Sequence, residues 1–172
     1  QKRAATIAAM GVIERDLAAD AALPPPAVRG PVSLRPLKPG DIGWVVHRHG
    51  VLYSEEFGWD ASFEALVAKI AGAFVDAFDP ARANAWIAEC DGRIVGSAFV
   101  VPQSKYVAKL RLVYVEPDMR GAGVGLALVE AALAFARERG YRRMTLWTND
   151  VLLAARRLYE RLGFKLRASK PY

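Results

Sequence analysis

Apolar positions change their period several times along this chain. Between residues 4 and 19, Ile7, Met10, Ile13 and Leu17 fall on one stripe at helical spacing, which predicts an amphipathic helix. Such a stripe needs a partner: the main domain, a second copy of the chain, or an upstream domain. Pro24-Pro25-Pro26 then imposes an extended spacer that Gly30-Pro31 closes, so residues 1–31 are set apart from residues 32–172. From residue 32 onward strands and helices alternate. Val32 to Leu37 is a first strand, and Pro39-Gly40-Asp41 turns into a helix over Ile42 to Tyr53. Asp60 caps a second helix that reaches about Phe78. Ala85 to Cys90 and Arg93 to Val101 form a hairpin around Asp91-Gly92. Val107 to Val115 is a strand stopped by Pro117, and Val124 to Arg139 a long helix stopped by Gly140. A strand over Arg142 to Thr148, a helix over Val151 to Leu162 and a last strand over Phe164 to Ala168 complete the pattern. A hairpin followed by βαβ units predicts a mixed sheet with helices on both faces.

Composition narrows the classes. At 172 residues and 53% hydrophobic, the chain can bury one ordinary core. No apolar run approaches the roughly 18 residues of a membrane helix, and no signal-like segment opens the chain, so no membrane partner is expected. The first residue is Gln1, read as the start of a processed chain or a fragment. A single cysteine, Cys90, excludes an internal disulfide and a zinc cage, fits a cytoplasmic setting, and reads as a small buried hydrophobe. No metal is expected. The net charge of +6 suits either nucleic acid or a polyphosphate cofactor.

The strongest chemical pattern lies between the strand ending at Val115 and the helix beginning at Val124. There, Glu116-Pro117-Asp118-Met119 leads into Arg120-Gly121-Ala122-Gly123-Val124-Gly125. A helix N-terminus exposes unpaired N–H groups and partial positive charge, glycine lets backbone approach an anion, and Arg120 adds a guanidinium. A Walker loop would continue with Lys-Ser/Thr, where this chain has Leu126-Ala127. A dinucleotide fold would place such a loop after its first strand, with an acid about 20 residues on. Glycines alone do not separate a phosphate site from a tight turn.

The context does. Val113-Tyr114-Val115-Glu116-Pro117 followed by Arg120-x-x-Gly123-x-Gly125 resembles the Arg/Gln-x-x-Gly-x-Gly/Ala motif of the GNAT acetyltransferase superfamily. Asn149 and Ala155 to Phe164 resemble that family's second signature, and the resemblance covers about residues 32–168. It implies an α/β (α+β) fold with a mixed, mainly antiparallel sheet, splayed at its middle strands, and helices on both faces. It implies acetyl-CoA as cosubstrate, with transfer to an unidentified amine of a small molecule or a protein. Backbone groups of Val113 and Val115 would bond the pantetheine arm, and the loop Arg120, Gly121, Ala122, Gly123, Val124 and Gly125 the pyrophosphate. Asn149 would bond a pantetheine amide or cap the following helix, or both. Tyr159 would be the general acid that protonates the leaving thiolate; read from the residues alone it is more readily a core tyrosine beside Leu158 and Leu162.

The base is less defined. Some members carry a carboxylate on the strand before the loop, whereas this chain has Lys109 and Arg111 there. Glu116 and Glu56 are the candidates, with a water relay and His47 as alternatives. His47 and His49 point about 200° apart on a helix and cannot share a ligand, so one is expected packed and one solvated. Trp44, Tyr53, Phe57 and Trp59, beside Glu55 and Glu56, either cup an amine or fill a core. The stretch Gly43 to Gly50 further resembles the acetyltransferase half of proteins that fuse a MarR-type DNA-binding domain to a GNAT domain, with residues 4–19 as that domain's last helix. On that reading DNA is a partner only through an upstream domain, the chain is a possible homodimer, and an acetyl-CoA sensor with little catalysis is the alternative to an enzyme.

Overall fold

The computed structural model describes residues 30–149 and 151–167. The expected helix over 4–19 and the proline spacer lie outside the described residues. The elements run β1 (Val32–Arg35), α1 (Asp41–Phe57), α2 (Ala61–Asp76), β2 (Asn84–Cys90), β3 (Arg93–Pro102), β4 (Val107–Val115), a 3-10 turn (Pro117–Met119), α3 (Val124–Glu138), β5 (Arg143–Leu146) and α4 (Leu153–Arg161).

The strands form one sheet in the order β1-β2-β3-β4-β5, antiparallel except for the β4–β5 pair. The hairpin turns at Asp91 and Gly92, both with positive φ (52° and 75°), the conformation a two-residue turn demands. Two cores flank the sheet. On one face α3 lays Val124, Leu128, Ala132 and Ala136 over Val95, Ala98, Ala108 and Leu110. On the other, Val45 of α1 and Phe74 of α2 cover Ala85, Ile87 and Phe99. Gly96 sets how closely α3 approaches: a Cβ there would lie 2.7 Å from the Tyr114 carbonyl oxygen, 3.0 Å from Leu128 Cδ1 and 3.2 Å from Val124 Cγ1.

Several boundaries differ from the sequence reading. β1 stops at Arg35 because Pro36 cannot donate to a ladder. α1 runs a turn past Tyr53, to Phe57, where Gly58 (φ 70°) ends it with its N–H on the Ser54 carbonyl; packing of Tyr53 and Phe57 on Trp59 and Phe63 favours the extra turn. Asp60 caps α2 as expected, accepting from the Ser62 N–H at 2.9 Å. β5 is shorter than the expected 142–148. The expected last strand over 164–168 is not formed in residues 164–167, which carry no ladder partner and leave Leu166 75% exposed; residue 168 lies outside the described residues. No helix among the described residues is long and apolar enough to cross a membrane.

Candidate active site

β4 and β5 pair only over Val107–Leu110 and Arg143–Leu146. Beyond Leu110 the strands part. The C-terminal half of β4 continues to Val115, held on its other edge by β3. The Glu116 N–H donates to the Val95 carbonyl at 2.8 Å, so it points toward β3. By strand alternation Val115 and Val113 turn their N–H and C=O groups the other way, into the gap where β5 has ended. A bulge at Leu112, a non-glycine residue with φ 50°, bends β4 at this point. Its carbonyl accepts from the buried Ser97 hydroxyl at 2.8 Å, which holds the bulge to β3.

The glycine turn follows directly. Gly121 and Gly123 have φ of 74° and 81°, the left-handed region where an L side chain is strained. Gly123 is the N-cap of α3 and offers no side-chain cap. Ala122 N–H bonds Met119 C=O and Ala127 N–H bonds Gly123 C=O. Among the described residues the N–H groups of Gly121, Gly123, Val124, Gly125 and Leu126 have no acceptor, an array of donors at the positive end of a helix. Gly125 lies against two neighbours: a Cβ there would stand 3.2 Å from Leu158 Cδ2 and 3.6 Å from Val115 Cγ2. The loop, the edge of β4 that is unpaired among the described residues, and α4 therefore meet at one place. This arrangement fits an acyl-CoA, which needs an anion cradle beside a strand edge that can bond an amide-bearing arm.

Tyr159 is on α4, in the same core as Val124, a core against which Val113, Val115, Ala155 and Leu158 also pack. Burial raises its phenol pKa above the usual value of 10, and the nearby Tyr53 phenol adds to the rise. Its hydroxyl makes no hydrogen bond among the described residues. Asn149 accepts from the Val151 N–H with Oδ1 at 3.4 Å, and its carbonyl from the Leu152 N–H at 3.0 Å. It closes the turn before α4, although the helix cap itself is Leu152.

Both candidate carboxylates are ion-paired. Glu116 is buried rather than solvated, and takes two hydrogen bonds from Arg48 of α1, at 2.6 and 2.9 Å. Glu56 accepts from Arg120 at 2.6 Å. The histidines divide as expected: His47 is exposed and His49 buried. The His49 Nδ1–H donates to the Val45 carbonyl at 2.7 Å, and burial lowers its pKa from 6.5 to about 4, so it is neutral. Tyr53, Phe57, Trp59 and Phe63 close on one another with ring centroids 4.7 to 5.7 Å apart. Trp44 instead meets Tyr114 edge-on at 5.6 Å. Two residues here had no signal in the sequence. Arg48 pairs across 68 residues of chain. Tyr114 is 2% exposed, and its hydroxyl has no hydrogen-bond partner among the described residues.

The comparisons agree with this geometry. Residues 48–164 match the family described as "Acetyltransferase (GNAT) family". The chain is 38% identical over 82 residues to a probable N-acetyltransferase, camello, of Xenopus tropicalis, covering 46% of this chain and 37% of that protein. It is 32% identical over 149 residues to the mycothiol acetyltransferase of Thermomonospora curvata, covering 84% of this chain and 48% of that protein. The chain thus spans less than half the length of either relative. A crystal structure described as a transcriptional regulator from Bacillus halodurans superposes with a TM-score of 0.63 at 25% identity, covering 83% of this chain and 98% of that one. A splayed strand pair, a glycine turn of free amides and a family match over more than half of its length lead to one conclusion: the chain belongs to the GNAT acetyltransferase family.

Proposed function

We propose that the protein is an acetyl-CoA-dependent N-acetyltransferase that passes the acetyl group directly to a primary amine of a small molecule or a protein. The observation that carries this is the free edge of β4 at Val113 and Val115 running straight into the donor array from Gly121 to Leu126. The amides of that array would hold the pyrophosphate, with Arg120 and the Ala122 turn completing the loop. The β4 edge would bond the pantetheine arm as an added strand, helped by Asn149, and one strand N–H would polarise the thioester carbonyl.

Transfer requires a neutral amine, a stabilised oxyanion and a proton for the departing thiolate. Tyr159 is the proposed acid. Its phenol is free of protein partners among the described residues and burial keeps it protonated. Because a thiolate is a weaker base than phenoxide, the proton transfer is uphill and must accompany C–S cleavage rather than follow it. As bases, Glu116 and Glu56 each hold an arginine, so either would act through water or after exchanging that partner.

A second reading is favoured by the description of the Bacillus halodurans structure as a transcriptional regulator. On it, the domain binds acetyl-CoA and reports it to an attached DNA-binding domain of the MarR type. Thiol release from acetyl-CoA against an amine panel, for wild type and Tyr159→Phe, separates the two. The enzyme reading expects turnover in the wild type, and in Tyr159→Phe a fall in kcat with acetyl-CoA affinity retained. Tight acetyl-CoA binding with no turnover on any amine selects the sensor.

A further inference from the structure

The face of the sheet opposite α3 is only partly roofed. α1 and α2 cover β1 to β3, with Val45 and Phe74 over Ile87 and Phe99. On β4 the same face carries two cations. Arg111 stands opposite Phe99, and Lys109 stands opposite Val101 on β3 and Thr145 on β5. Paired residues share a face, so both cations point to the α1–α2 side, as does Trp147, two residues beyond Thr145. The Lys109 ammonium lies over the Trp147 ring, 5.5 Å from its centroid, and that ring is 75% exposed.

Their place along β4 matters. Leu110 and Leu146 are the last paired residues before β4 and β5 separate. Lys109 and Arg111 flank that point and so stand at the throat of the gap. The cations are half-buried. Burial and the neighbouring Arg111 both lower the Lys109 pKa, as expected for two like charges side by side. Five ion pairs join the described residues, and none includes Lys109 or Arg111. A half-buried like-charge pair without a counter-ion disfavours the folded chain and favours a bound anion.

We propose that Lys109 and Arg111 form the specificity site for a carboxylate on the acceptor, so that the amine substrate is an acidic one, an amino acid or similar amino-carboxylate. This rests on the acetyltransferase reading above. A simple ammonium would be repelled from this throat, whereas an amino-carboxylate brings a charge that fits it. Once bound, its amine lies near two cations that disfavour the ammonium form and raise the neutral fraction. That accounts for an acceptor wall with cations where a carboxylate base would otherwise stand. In the step itself the neutral nitrogen attacks the thioester carbonyl. The C–N bond forms, the C–S bond breaks, one proton leaves nitrogen and one ends on the thiol sulfur.

The test pairs acids with their amides: aspartate with asparagine, β-alanine with β-alaninamide, glycine with glycinamide. Phosphoethanolamine and ethanolamine form a phosphate arm, and spermidine a cationic one. Each is titrated into CoA-loaded protein by calorimetry and assayed with acetyl-CoA, for wild type and Lys109→Gln/Arg111→Gln. The acids are expected to bind and react roughly ten- to a hundredfold better than the amides, the worth of a charge-assisted pair. The double variant is expected to lose that preference with acetyl-CoA affinity and thermal stability retained. Equal or better use of amides or spermidine, a preference that survives the double substitution, a preference for phosphoethanolamine, or no amine binding at all would each overturn the proposal. Failure to bind acetyl-CoA in the wild type would instead remove the acetyltransferase reading on which it stands.

Discussion

Arg48 of α1 grips Glu116, the residue just past β4, through two hydrogen bonds of 2.6 and 2.9 Å. The pair fastens α1 to the strand end that leads into the glycine turn. The Arg48 guanidinium pKa is raised, chiefly by its bond to Glu116 and against the opposing effect of burial. Removing one partner of a buried pair leaves the other charge uncompensated, whereas removing both does not. Arg48→Met is therefore expected to cost about 3–5 kcal/mol, and Arg48→Met/Glu116→Leu distinctly less. Urea unfolding of the singles and the double closes the cycle. A double variant as unstable as the sum of the singles would show that the two side chains do not act together.

His49 gives the fold an acid sensitivity. The ring is 3% exposed, stacked with Tyr53 at 5.9 Å and tilted against Tyr114 at 5.1 Å, and its pKa falls from 6.5 to about 4. Between those values the unfolded chain binds a proton that the folded chain refuses. Stability is then full above pH 6.5 and declines as pH drops toward 4, by roughly 3 kcal/mol at the limit. The measurement is thermal or urea stability at pH 7.5, 6 and 5 for wild type and His49→Gln. The variant is expected to lose this part of the slope, and an unchanged slope would assign it to other groups.

Glu56 competes for a loop cation. Its carboxylate accepts from Arg120 at 2.6 Å, with both side chains partly exposed. On the proposed reading a phosphate at the turn would use the same guanidinium, so cofactor binding would displace Glu56 or share Arg120 with it. Exposed pairs are worth about 0–1 kcal/mol, so Glu56→Gln is expected to tighten acetyl-CoA binding by up to about fivefold. Arg120→Gln is expected to weaken it. Calorimetry on both variants checks the sign; weaker binding in Glu56→Gln would mean that Glu56 orients Arg120 for the phosphate rather than withholding it.

What the sequence could and could not reveal follows from how local each signal is. The glycine turn is local: Gly121 and Gly123 take positive φ, and a helix begins at Val124. Asp60 and Asp91-Gly92 are likewise local, and their cap and turn form where expected. The end of β5 at Leu146 and the absent strand over 164–167 escape a sequence reading because apolar alternation does not say whether a neighbouring strand is within reach. The fate of Glu116 was hidden for a similar reason. Its partner Arg48 is set by the packing of α1 on the sheet, and nothing near residue 116 announces it. Lys109 and Arg111 were legible as a departure from a carboxylate-bearing strand. Only the register with Phe99 and Thr145 shows which face they share.

Two glycines offer opposite outcomes from the same substitution. Gly96 sits on β3 with the Tyr114 carbonyl oxygen 2.7 Å from where a Cβ would be, and that oxygen is backbone, so it cannot swing aside. Gly96→Ala must push β4 from β3 or lift α3, with its Leu128 and Val124, off the sheet. Overpacking of this kind costs about 1–3 kcal/mol. The displacement would reach Val113 and Val115, the neighbours of Tyr114, so weaker acetyl-CoA binding is expected with it. Gly72, inside α2, has no positive φ, and a Cβ added there would meet no atom within 4 Å. Gly72→Ala should therefore stabilise by about 0.5–1 kcal/mol through helix propensity and a less flexible unfolded chain, and leave cofactor affinity alone. Urea midpoints and acetyl-CoA titrations on the two variants test the contrast. A Gly96→Ala protein with wild-type stability and affinity would show that β3, β4 and α3 have slack that this close approach denies them.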